Sequence, residues 1–79
     1  MEEETIRNDE NICIGANIRQ ARIQNHMGQT QLVRLLQLQG ASITRESLVK
    51  IERGIQHVKA SQLKAIKECL NVSYDDLIR

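Results

Sequence analysis

Proline and aromatic residues are almost missing from this sequence. It contains no proline, no tryptophan and no phenylalanine, and Tyr74 is its one aromatic residue. A β-sandwich core or an aromatic-lined cofactor pocket is hard to build from such a composition, because both rely on large flat side chains. Leucine, isoleucine, glutamine, arginine and lysine recur instead at helical spacings. The composition therefore predicts an all-α domain.

Cysteine is also scarce, and long apolar runs are missing. Cys13 and Cys69 do not form a metal-ligand spacing, so we expect two reduced thiols and no metal site. No stretch approaches the roughly 18 uninterrupted apolar residues of a membrane-spanning helix. The acidic N-terminus is unlike a signal peptide. We therefore expect a cytoplasmic protein without a membrane segment.

Charge is unevenly distributed, although the formal net charge is only +1. The first ten residues carry five acids and one base, a net −4, which leaves ten bases and five acids, a net +5, for the other 69. A basic body of this kind favours a polyanion-binding surface over an ordinary solvated surface of mixed charge. Residues 1–11 lack periodic apolar residues, so we expect a flexible acidic leader followed by one domain over residues 12–79.

Apolar residues recur at the spacing of five short helices. Gly40 and Gly54 are suited to end the second and third helices, because glycine readily adopts the left-handed exit conformation. The hydroxyl of Thr44 can cap the third helix, and Ser73 with Asp76 resembles a capping box before the fifth. The expected helices cover residues 14 to about 25–27, 29–39, 44–53, about 60–70 and 73–78.

Glu52 stands out because helical phase aims its carboxylate at the core. At about 100° per residue it falls only about 40° from Leu48, which forms the buried face with Ile51. A carboxylate placed there needs a cation, since breaking a buried ion pair costs roughly 3–5 kcal/mol. Arg22 lies on the corresponding edge of the first helix, and its planar guanidinium can hold a carboxylate through two parallel hydrogen bonds. We expect this pair to clamp the first helix to the third.

The outer face of the third helix is expected to be exposed. Arginine and lysine can donate to guanine in the major groove, glutamate can accept from cytosine, and valine can contact the thymine methyl group. A two-turn helix of this kind, preceded by another short helix, is typical of a helix-turn-helix, although an ordinary solvated face is the alternative. The face carries Arg45, Glu46, Val49, Lys50 and Arg53.

Four short motifs follow one another over residues 14–78. They read IGANI with Arg22, QTQLV at 29–33, LVKIERG at 48–54 and LKAIKECLNVSYDDL at 63–77. In this order and spacing they resemble the phage-repressor and Cro-type helix-turn-helix family, the xenobiotic-response-element regulators. The resemblance implies a compact bundle of five short helices of the lambda-repressor-like type, in which helices two and three form the helix-turn-helix.

The resemblance also implies a role for individual residues. Gln29, the first residue of helix two, would bond a DNA phosphate and brace the third helix, while Arg22 and Glu52 would form a structural ion pair. Base contacts specify sequence, whereas phosphate contacts set affinity. The implied base-reading residues are Arg45, Glu46, Ser47, Val49 and Lys50, and the implied phosphate-contacting residues are Gln29, Thr44, Arg53, His57 and Lys59.

The sequence departs from the family pattern at four places. Residues 36–44 form a longer link than the family's tight turn between helices two and three. Val33 replaces the usual alanine, and Gly28 replaces the serine or threonine that would cap helix two. Lys67 replaces a small residue of helix four, where its long side chain can reach outward to solvent.

We expect a sequence-specific bacterial or phage transcriptional regulator, with repression as its effect, that binds double-stranded DNA through helix 44–53. One small domain covers about half a site, so a homodimer on DNA is expected. The alternative is a protein-interaction module with the same fold, such as an antitoxin or an antagonist of another regulator, whose acidic leader binds a protein partner. His26 and His57 lack partners at catalytic or metal spacing, so we expect neither an enzyme nor a cofactor.

Overall fold

The computed structural model describes residues 5–6 and 13–79, and most of this part is α-helical. The predicted all-α class is confirmed at this level. Each helix begins at the expected residue or one residue later, because the apolar periodicity and the caps that define a helix are local features of the sequence. The helices are α1 (Ile14–Gln24), α2 (Gln29–Leu38), α3 (Arg45–Glu52), α4 (Ala60–Leu70) and α5 (Tyr74–Leu77).

Two very short β-strands were not predicted. Strand β1 (Thr5–Ile6) pairs antiparallel with β2 (Val58–Lys59), so that Thr5 lies opposite Lys59. Residues 5 and 6 belong to the expected leader, and a two-residue strand is too short to show alternation in the sequence. The other residues of the expected leader, 1–4 and 7–11, lie outside the described residues.

The four longer helices end in the same way. Each is followed by a residue in the left-handed conformation, namely Gly40 and Gly54 with φ of 87° and 77°, and His26 and Asn71 with φ of 55° and 54°. The amide of the next residue donates to the carbonyl five residues before it, at 2.9–3.2 Å. This arrangement is the Schellman motif, which satisfies the last carbonyl groups of a helix. The glycine stops were predicted, whereas those at His26 and Asn71 were not.

One apolar core joins the five helices. Ile43 from the link before α3 and Val58 from β2 complete it. The helical spacing of α2 predicts that Leu35 points inward, but its side chain is only half-buried. The buried residues that carry the helical stripes are Ile14, Ile18, Ala21, Leu32, Leu36, Leu48, Ile51, Leu63, Ile66, Leu70 and Leu77.

A link of six residues, 39–44, joins α2 to α3. Its backbone is held by side chains from both sides, because Nε2 of Gln37 donates to the carbonyl of Ile43 at 2.8 Å and Nε2 of Gln62 donates to the carbonyl of Ser42 at 2.9 Å. The side chain of Ile43 is buried in the core. The long link is thus a fixed part of the fold that sets where α3 begins.

Gly15 of α1 lies directly against the backbone of the last turn of α3. A Cβ atom at this position would lie 2.0 Å from the carbonyl oxygen of Ile51 and 3.0 Å from that of Glu52. No side chain fits at 2.0 Å from a backbone atom, so only glycine permits this approach. The position of the last turn of α3 therefore depends on Gly15.

Serine at positions 15 and 28 should change stability in opposite directions. Gly15→Ser should lower the free energy of unfolding by about 1–3 kcal/mol, because it forces α1 away from the backbone of α3. Gly28→Ser should raise it by about 0.5–1 kcal/mol, because the space around Gly28 is open and a hydroxyl there can cap α2. Urea unfolding followed by circular dichroism measures both, and similar effects at the two positions would contradict this packing.

Candidate nucleic-acid interface

A buried ion pair joins α1 to α3. Nε of Arg22 donates to Oε2 of Glu52 at 2.8 Å, and Nη2 donates to Oε1 at 2.9 Å. The two side chains are only 10% and 2% exposed. This is the bidentate geometry predicted from helical phase. The hydrogen bond to Glu52 raises the pKa of Arg22, and this effect outweighs the opposing effect of burial.

Two further hydrogen bonds complete the network around this pair. Nη1 of Arg22 donates to the carbonyl of Met27 at 2.9 Å, and Nε2 of Gln29 donates to Oε1 of Glu52 at 3.2 Å. Gln29 is the first residue of α2, so side chains from α1 and α2 both hold the end of α3. Every buried side-chain nitrogen and oxygen of the described residues has a hydrogen-bond partner. Gln29 thus braces α3, as expected. Its expected bond to a DNA phosphate stays a prediction.

A second anchor holds the segments on either side of α3. Gln62 is a buried residue of α4 whose Oε1 accepts from the backbone amide of Lys59 and whose Nε2 donates to the carbonyl of Ser42, both at 2.9 Å. Ser42 precedes α3 and Lys59 follows it. One buried amide therefore ties both flanks of α3 to α4. Gln62 was not predicted, because sequence spacing does not distinguish a buried glutamine from an exposed one.

Thr44 caps the first turn of α3. Its Oγ1 accepts from the backbone amide of Ser47 at 3.1 Å and donates to Oγ of Ser47 at 3.0 Å. The cap is the one that the sequence predicts. Both hydroxyls, which the family resemblance assigns to DNA contacts, are thus engaged with each other in the free protein.

The outer face of α3 is basic and exposed. Arg45, Lys50 and Arg53 are exposed, and within residues 13–79 no carboxylate forms a salt bridge with any of them. Glu46 is the one acid on this face, so the face carries a local excess of positive charge. Six residues of this region line one shallow depression in the surface, which we call the α3 depression: Arg45, Glu46, Val49, Lys50, Arg53 and Ile55.

Ile55 was not predicted to belong to the site. It follows Gly54, and its backbone amide donates to the carbonyl of Lys50 at 2.9 Å as part of the helix-ending motif. This turn places Ile55 beside the outer face of α3, where it is 66% exposed. An apolar residue directly after a glycine stop was the signal in the sequence, because that position commonly packs against the last turn of the helix.

The remaining expected DNA-contacting residues lie outside the α3 depression. His57 and Lys59 are exposed in the segment after α3, and Gln29 is half-buried at the start of α2. Thr44 and Ser47 form the cap of α3. The structure thus brings together the expected base-reading residues except Ser47, and joins them with Arg53 and Ile55.

No protein-family model, curated protein or solved structure matches this chain. Within the described residues, no group of three histidine, cysteine, aspartate or glutamate side chains could hold a metal ion. None of the described helices combines the length and the apolar character needed to cross a membrane.

Removing one partner of the buried ion pair should be far more damaging than replacing both. Glu52→Leu should lower the free energy of unfolding by roughly 3–5 kcal/mol, because it leaves the buried guanidinium of Arg22 unpaired. The double variant Arg22→Met/Glu52→Leu should recover most of that loss, since an apolar pair of similar volume can replace a buried ion pair. Urea unfolding of wild type, both single variants and the double variant measures the coupling. Additive losses would show that the two side chains are energetically independent.

Proposed function

We propose that this protein is a sequence-specific DNA-binding regulator of transcription, of the helix-turn-helix type, with α3 as its recognition helix. The observation that carries the proposal is the basic outer face of α3, whose inner face is held by the Arg22–Glu52 pair. The major groove of B-DNA, about 12 Å wide, admits an α-helix. The motifs that resemble the phage-repressor and Cro-type family support the same function.

The chemistry of the face matches the edges of base pairs. Arg45 and Lys50 can donate to the two acceptors of guanine, and Glu46 can accept from the amino group of cytosine. Arg53 lies at the C-terminal end of α3, where a cation can contact a phosphate and so add affinity without sequence preference. Within residues 13–79, the three cations have no salt bridge that would have to break on meeting DNA.

Rigid support of α3 favours specific binding over loose attraction. The Arg22–Glu52 pair holds its C-terminal turn, Gln62 holds its two flanks, and Thr44 caps its first turn. A surface that is already ordered loses less conformational entropy on binding. The backbone of α3 is therefore arranged before it meets a duplex.

Two copies on one duplex form part of this proposal. A single domain of this size contacts about half a site, and paired half-sites lie about 34–36 Å apart, which is one turn of DNA. Repression is the effect that we propose, because a protein bound across a promoter excludes polymerase by occupying its site.

Duplex binding should fall steeply as salt rises, and two substitutions should affect it differently. Arg53→Ala should weaken binding to all duplexes alike. It should also make the negative slope of log K against log salt shallower by about 1. Arg45→Ala should cost about 1–3 kcal/mol on the preferred site, and much less on random DNA. Fluorescence anisotropy over a salt series, with a duplex selected from a random library, measures both effects.

Lys64→Ala is the matched control, because Lys64 is an exposed cation on α4 that does not line the α3 depression. It should leave both the affinity and the salt slope unchanged. No binding to any duplex at about 50 mM salt would contradict the proposed function. That result would favour the protein-interaction module with the same fold.

A further inference from the structure

We propose that Val49 and Ile55 form an apolar strip that recognises the 5-methyl group of thymine in the bound duplex. This inference rests on the proposed function, and it names a base for which the site is selective. It also gives a role to Ile55, the one large apolar residue that the fold leaves exposed within the α3 depression.

The position of the strip carries the inference. One exposed apolar side chain is ordinary in a soluble protein. Here Val49 and Ile55 line a single depression whose other walls include Arg45, Lys50 and Arg53. The cations favour a polyanion. The strip lies among the residues that, under the proposed function, face the edges of the base pairs.

Thymine supplies the group that fits such a strip. Its 5-methyl group is the apolar feature that base pairs present in the major groove, and cytosine lacks it. Contact with that methyl group removes apolar surface of both partners from water, which is favourable. A purely apolar protein partner would not explain why the strip lies among three cations that form no salt bridge within residues 13–79.

The backbone holds the strip in place before DNA is bound. The amide of Ile55 donates to the carbonyl of Lys50 at 2.9 Å, and the amide of Gly54 donates to the carbonyl of Ile51 at 3.0 Å. These bonds fix where Ile55 leaves α3. Because Val49 lies in the last turns of the same helix, the relative placement of the two residues is set by the helix ending.

Deoxyuridine in place of thymine tests the inference, because it removes one methyl group and leaves the hydrogen-bonding groups of the base unchanged. Each thymine of the selected duplex is replaced in turn, and affinity is measured at constant salt. At least one replacement should weaken wild-type binding about three- to fivefold, the effect expected for one buried methyl group. The same replacement should have almost no effect on the Ile55→Ala and Val49→Ala variants.

Leu38→Ala is the matched control, because Leu38 is 78% exposed but does not line the α3 depression. This variant should keep the full effect of deoxyuridine. The inference is overturned if the protein binds its selected duplex and every deoxyuridine replacement is neutral, or if the effect persists in either strip variant. No duplex binding at all would overturn the proposed function itself, so the two failures are distinguishable. Circular dichroism of each variant verifies that it is folded.

Discussion

The bidentate hydrogen bond between Arg22 and Glu52 is the interaction on which the rest of the site depends. It places a carboxylate of α3 against a guanidinium of α1 in a region that is almost closed to solvent. Because each buried charge would be strongly unfavourable alone, few relative positions of the two helices satisfy both. Gln29 and the carbonyl of Met27 use further hydrogen-bonding groups of the pair. The Arg22–Glu52 pair therefore fixes the positions of the residues on the outer face of α3.

Helix α3 needs such support because it has only eight residues. Isolated helices shorter than about 12–15 residues are marginal in water, so the shape of α3 comes from its surroundings. Gly15 lets its last turn approach α1, Gln62 holds the segments before and after it, and Thr44 completes its first turn. All of these contacts lie behind or beside the helix. Its outer face is left available for a partner, and its positive charge favours a polyanion.

Local features of the sequence made much of the fold predictable. The capping box at Ser73 has the predicted reciprocal bonds, and the inward phase of Glu52 led to its partner. What could not be predicted depends on tertiary arrangement. The strand at Thr5 is too short to show a pattern, and Gln62 is distinguished only by which backbone groups it reaches. Ile55 joins the site through the direction in which the chain leaves α3.

The most direct test of how α3 is held is an NMR titration of ¹⁵N-labelled protein with the duplex selected from a random library. The titration follows both the backbone amides and the side-chain Nε–H group of Arg22. We expect the amide shifts to change along α3 and at Ile55, while the Arg22 Nε–H resonance keeps its shift and its slow exchange with solvent. That result would mean that the ion pair holds the same geometry in the free and bound states. A large change at Arg22, or shifts confined to α4 and α5, would contradict the account.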